Sequence, residues 1–158
     1  MDISWLSYFE NPKPGISPAE LDELEQRIGF AIPHSLRERY GTLGGGRFRF
    51  GLFIGDGEIY YDLHELVSAK STAIDGKIID MGVADEYAYI VKERGLVPDR
   101  LVPFAVESGG NFYCVDRGDE SIWYADMELG NDRRLPPPRR IADSLVAFLE
   151  AGRLDEDD

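Results

Sequence analysis

The hydrophobic pattern of the chain changes period at Gly44-Gly45-Gly46, and this change restricts the fold more than any other feature. Upstream of it, apolar residues recur at helical spacing. Ser17-Pro18-Ala19-Glu20 is a capping box with proline at the first helical position: the serine oxygen accepts an amide hydrogen bond and the glutamate reaches back. Leu21, Leu24 and Ile28 then share one helix face, and Gly29 ends the helix. After Ile32-Pro33, a second short helix presents Leu36, Tyr40 and Leu43 and runs out at the glycines. Downstream, Phe48, Phe50, Leu52 and Ile54 alternate as on a strand, and Asp56-Gly57 signals a hairpin before Ile59-Tyr60-Tyr61.

Asp62 with Glu65 offers another helix start, while residues 68–81 show no clear period beyond a turn at Asp75-Gly76. Ala84, Tyr87, Ala88 and Val91 predict an amphipathic helix ending at Arg94-Gly95. Three strands follow at Leu101 to Val106, Asn111 to Asp116 and Ser121 to Ala125, with turns at Ser108-Gly109-Gly110 and Arg117-Gly118-Asp119. Three consecutive prolines keep the loop from Arg133 to Arg140 extended. A last helix presents Ile141, Leu145, Phe148 and Leu149 before Gly152; an acidic tail spans 153–158, and its close, Asp155-Glu156-Asp157-Asp158, is expected to be disordered. There is no repeat and no linker, and the strand-helix alternation of a parallel nucleotide-binding sheet is missing. The expected fold is therefore α+β: one domain over 1–158, its central antiparallel sheet flanked by N-terminal and C-terminal helices. A chain of 158 residues buries enough surface to fold without a cofactor or disulfide.

Charge limits the partners. Seventeen basic against 30 acidic residues leave a formal charge of −13, which disfavours nucleic acid and anionic lipid and favours basic partners. No apolar run approaches the length of a membrane span, and Met-Asp-Ile-Ser-Trp lacks the basic and apolar regions of a secretion signal. With a single cysteine there is no internal disulfide, so a soluble protein of the cytoplasm is expected.

Candidate chemistry is thin. A phosphate cradle needs glycines after a strand and at a helix start, but Gly44 to Gly46 leave a helix for a strand, and Gly109-Gly110 lie between two strands. Cys114 would need a histidine base, and the chain supplies only His34 and His64; as Phe112 and Cys114 share a strand face, a small apolar side chain in the sheet is the plainer assignment. One cysteine and two distant histidines lack zinc-ligand spacing. Asp56 with Glu58, and Asp116 with Asp119 and Glu120, crowd two turns without the ordered spacing of a calcium loop. They are solvated turns or a charged contact surface. On a strand Trp123 and Tyr124 point to opposite faces, which makes the outward one an anchor for a partner unless helices cover both faces. Arg133, Arg134, Arg139 and Arg140 form the basic cluster, expected to pair with neighbouring carboxylates. No catalytic constellation, cofactor site or metal site is predicted.

The runs ISPAELDELEQRIGFAIPHSLRERYGTLGGG, LVPFAVESGGNFYCVD, SIWYAD and IADSLVAFLEAG resemble the SUKH superfamily, bacterial immunity proteins grouped with fungal regulators of cell-wall synthesis. Glu25, Gly29, Pro33, Leu36, Gly45, Gly46, Pro103, Phe104, Ala105, Gly110, Asn111, Asp116, Ser144, Phe148 and Leu149 fall on the pattern, over about residues 17–152. Leu43-Gly44 stands where the family usually has asparagine, and residues 73–95 have no counterpart. The resemblance implies an α+β fold, no enzymatic activity, and either an antidote that binds a cognate, nucleic-acid-directed toxin protein or an intracellular scaffold without a toxin. Joined to the charge balance, it places the partner contact on the sheet and its turns, with Asp56, Glu58, Asp116, Asp119 and Glu120 as charges and Trp123 as anchor. The first helix, with Glu20, Asp22 and Glu23, is the rival face.

Overall fold

The computed structural model describes residues 9–56, 59–130 and 133–154, with side chains described for 9–48, 61–130 and 133–151. The main sheet is antiparallel throughout and runs in the order β1 (Phe9–Pro14), β2 (Leu43–Asp56), β3 (Ile59–Leu66), β6 (Leu101–Val106), β7 (Phe112–Asp116), β8 (Ile122–Ala125), β9 (Arg139–Ala142). A short strand, β10 (Gly152–Leu154), pairs with the far end of β2. Between β3 and β6 the chain makes a separate two-stranded sheet from β4 (Thr72–Ile74) and β5 (Lys77–Asp80).

The expected capping box forms. Ser17 Oγ accepts from the Glu20 amide at 3.2 Å, Glu20 Oε1 accepts from the Ser17 amide at 3.1 Å, and α1 (Pro18–Ile28) buries Leu21, Leu24 and Ile28 before Gly29 caps it. α2 (His34–Thr42) buries Leu36, Arg39 and Tyr40, and the Tyr40 hydroxyl donates to the carbonyl of Val67 at 2.7 Å. The chain enters β2 at Leu43, and the glycines there permit close approach. Gly45, at φ +134°, would place a Cβ only 2.8 Å from the Cα of Ser68.

Four expectations are corrected. Asp62 and Glu65 do not start a helix: they lie in β3, where Tyr61 and Leu63 are buried and pairing with β2 outweighs the local capping signal. Ala88 is exposed, because α3 (Val83–Tyr87) widens into a π-helical stretch, Ala88–Glu93, that turns Ile90 and Val91 to the core. Ile141 belongs to β9, and α4 (Leu145–Glu150) begins only after Ser144, whose Oγ accepts from the Ala147 amide at 3.1 Å. Finally, Leu43 is not on the face of α2 but is the first residue of β2, extended at φ −142°. The segment before α1 adds β1 to the sheet, with Phe9 against Phe48, rings 4.4 Å apart.

The core lies on both faces of the middle strands, since every residue of β7 is buried. α3 packs on β6 and touches α1, which leans on α2. α4 inserts Phe148, 1% exposed, between Phe104 and Tyr113 at centroid distances of 6.1 and 5.2 Å. Burial of that ring relative to an exposed one contributes roughly 2–3 kcal/mol. Of the acidic tail 153–158, Arg153 and Leu154 belong to β10 and pair with β2, and residues 155–158 lie outside the described residues.

Candidate protein-binding surface

β6 and β7 are joined by the tight turn Glu107 to Asn111. The Gly110 amide donates to the Glu107 carbonyl at 3.0 Å, and the Glu107 amide to the Asn111 carbonyl at 2.9 Å. Gly110 sits at φ +92°, which makes VPFAVESGGNFYCVD a hairpin. Asn111 and Tyr124 then share Glu107: the Tyr124 hydroxyl donates to Glu107 Oε1 at 2.8 Å, and Asn111 Nδ2 donates to the Tyr124 oxygen at 2.9 Å. Cys114 is fully buried opposite Trp123 and Pro103, and burial pushes its thiol well above the usual cysteine range. His34 is on the surface with Glu38, 3.1 Å away, and His64 is on β3, separated from β7 by β6.

The β7–β8 turn gathers three of the candidate carboxylates, in three different states. Asp116 is buried: its Oδ1 accepts from the Gly118 amide at 2.7 Å, and its Oδ2 from Arg100 at 2.9 Å. Asp119 is exposed, and hydrogen bonds from the Ser121 hydroxyl and amide hold its carboxyl below the usual range. Glu120, at φ +61°, points back to α2 and accepts from the Ser35 amide at 2.9 Å. Pro33 provides no side-chain cap for α2, so Glu120 fills that place from a distant part of the chain. Asp56 pairs through its backbone with Ile59 at the end of the β2–β3 hairpin; its side chain and all of Glu58 lie outside the described residues.

Trp123 and Tyr124 do point to opposite faces, and both are half-buried. Tyr124 packs on Tyr61 and Tyr113 at 5.0 and 5.6 Å. Trp123 donates through Nε1 to Ser121 Oγ at 2.8 Å and is covered by the Arg100 guanidinium, 4.5 Å from the ring centroid. The chain therefore already occupies one face of the indole. Of the basic cluster, Arg140 pairs with Asp143 at 3.0 Å, whereas Arg139 donates to the Tyr61 hydroxyl. On the rival face, Asp22 and Glu25 hold Arg37, Glu20 holds Lys70, and Glu23 makes no ion pair among the described residues.

Sequence reasoning missed Arg100, whose position over Trp123 and beside Asp116 depends on pairing across β6 and β7. It also missed the apolar projection of Ile74, Ile78 and Ile79. Their adjacency to Asp75-Gly76 was the available signal, a strand-turn-strand reading of a segment without clear period.

No helix among the described residues is long and apolar enough to cross a membrane. No curated protein matches the chain. The model of one family matches residues 15–151, from α1 to α4 with every strand from β2 to β9, and by that match the chain belongs to the SMI1 / KNR4 family (SUKH-1).

Proposed function

We propose that this chain is a non-catalytic immunity protein of the cytoplasm, which binds a cognate toxin with a basic working surface and blocks it inside the producing cell. The observation that carries the reading is membership of the SUKH-1 family over residues 15–151. The charge of −13 supports it, because a toxin that handles nucleic acid needs cations in its cleft, and a carboxylate-rich protein is attracted to them. The non-catalytic part draws support from Cys114, which is buried and has its thiol pushed up. Asp119 is exposed and belongs to the contact surface, while Asp116 and Glu120 hold the turn that presents it.

The test is co-expression with the toxin encoded beside this chain's gene, together with binding of its purified basic C-terminal domain. Protection of the cells, tight binding, and an association rate that falls about tenfold or more between low and high salt are expected. A neighbouring toxin domain that is neither bound nor inhibited overturns the immunity reading in favour of a scaffold without a toxin partner.

A further inference from the structure

Six large apolar side chains are exposed among the described residues, and three of them fall within one short hairpin: Ile74 at 58%, Ile78 at 48% and Ile79 at 59%. β4 and β5 stand apart from the main sheet. Ala73 is opposite Ile78, Ile74 opposite Lys77 and Thr72 opposite Asp80, which leaves Ile79 at a bulge. The residues of the hairpin from Thr72 to Ile79 are all exposed, so its three isoleucines are presented to solvent. An isolated two-stranded hairpin is marginal in water, and bare β-branched residues on it favour association.

The base of this hairpin is nevertheless fixed. Ser68 Oγ donates to Asp80 Oδ2 at 2.9 Å, and Lys13 bridges the same two residues. The Gly82 amide donates to Ser71 Oγ at 2.8 Å, and the Val83 amide to the Ser68 carbonyl at 2.8 Å. At the tip, Asp75 at φ +52° and Gly76 at φ +80° make the tight turn that suits two twisted strands. A held base under an apolar tip lowers the ordering cost of docking.

Charge indicates what docks. Lys13, Arg27 and Lys70 are already paired with Asp80, Asp85 and Glu20, which leaves two cations, Lys77 in the hairpin and Arg47 opposite Glu65 in the main sheet, to set against Asp75, Glu65 and Glu86. Neither Glu65 nor Glu86 makes an ion pair among the described residues, and the Glu86 carboxyl is pushed up by its burial and by the nearby Glu65, Asp80 and Asp85. The foot of the hairpin thus keeps unbalanced negative charge beside its apolar tip, on a protein of charge −13. Trp123, already covered by Arg100, is less available as an anchor.

We infer that the β4–β5 hairpin is the element that docks this chain on a basic protein partner, its isoleucines entering an apolar cleft while Glu65 and Glu86 meet cations at the rim. This rests on the toxin-binding reading and names its contact. The experiment measures binding of the basic C-terminal domain of the neighbouring toxin to the wild type, to the triple variant Ile74→Ser/Ile78→Ser/Ile79→Ser, to Glu65→Gln/Glu86→Gln, and to Val146→Ser, an exposed apolar residue on α4. The triple variant should keep its melting temperature and lose about 100-fold or more in affinity. The glutamine pair should slow association about three- to tenfold and flatten its salt dependence, and Val146→Ser should bind as the wild type does. Wild-type binding that the triple variant retains overturns the hairpin assignment and leaves the immunity reading standing. Absence of wild-type binding overturns both. A concentration-dependent dimer in sedimentation that the triple variant abolishes overturns the basic partner in favour of a second copy of the chain.

Discussion

Glu120 tests how far a distant side chain supports a helix that lacks its own cap. Pro33 precedes α2 and offers no side-chain acceptor, so the Ser35 amide depends on Glu120 Oε1, 2.9 Å away. Removing that carboxylate with Glu120→Ala leaves one first-turn amide without its partner and takes a negative charge from the positive end of the helix dipole. Together these cost about 1–2 kcal/mol. For a domain of this size that corresponds to a fall of roughly 3–6 °C in melting temperature. Glu120→Gln keeps an acceptor and loses the charge, so about 0.5 kcal/mol is expected. Glu120→Gly loses the same bond as alanine does, but it relieves a non-glycine residue at φ +61°, a conformation that costs about 1 kcal/mol, so it should be milder than alanine. The predicted order of stability is wild type, glutamine, glycine, alanine, read from urea and thermal denaturation at neutral pH. An alanine variant as stable as the wild type refutes the cap, and a glycine variant less stable than alanine refutes the strain argument.

Gly110→Val should destabilise by about 1–3 kcal/mol through conformation alone, since nothing lies within 4 Å of an added Cβ and the cost comes from φ +92°. An unchanged denaturation midpoint would show a differently built turn. Glu86→Gln carries a pH signature: the native carboxyl is raised above its ordinary 4.5, so the folded state binds its proton more tightly and loses relative stability as pH rises through that window. The variant should therefore melt higher than the wild type at pH 7, with the gap closing below about pH 4.5. A gap independent of pH would assign the effect to packing.

Local chemistry determined much of this fold before any contact was known. Ser17, Pro18 and Glu20 form their capping box within one turn, so the start of α1 is legible from neighbouring residues. The alternation and turn residues from Leu101 to Ala125 likewise place three strands, because side-chain direction along a strand has period two. Tertiary structure decided the rest. The cap on α2 comes from Glu120, 85 residues from Ser35, and no local pattern encodes a bond across that separation. Asp62 and Glu65 carry a helix signal that strand pairing overrides, and Phe9 and Arg139 join the sheet only because edges of β2 and β8 are open to them. The candidate surface divides in the same way. The acidic balance is a property of composition, but whether a given carboxylate is spent inside the fold, as Asp116 is on Arg100, or left facing solvent, as Asp119 is, depends on which strands meet. The isoleucines of β4 and β5 read as ordinary apolar residues in sequence, and only the arrangement of the main sheet, which leaves their hairpin outside it, exposes them.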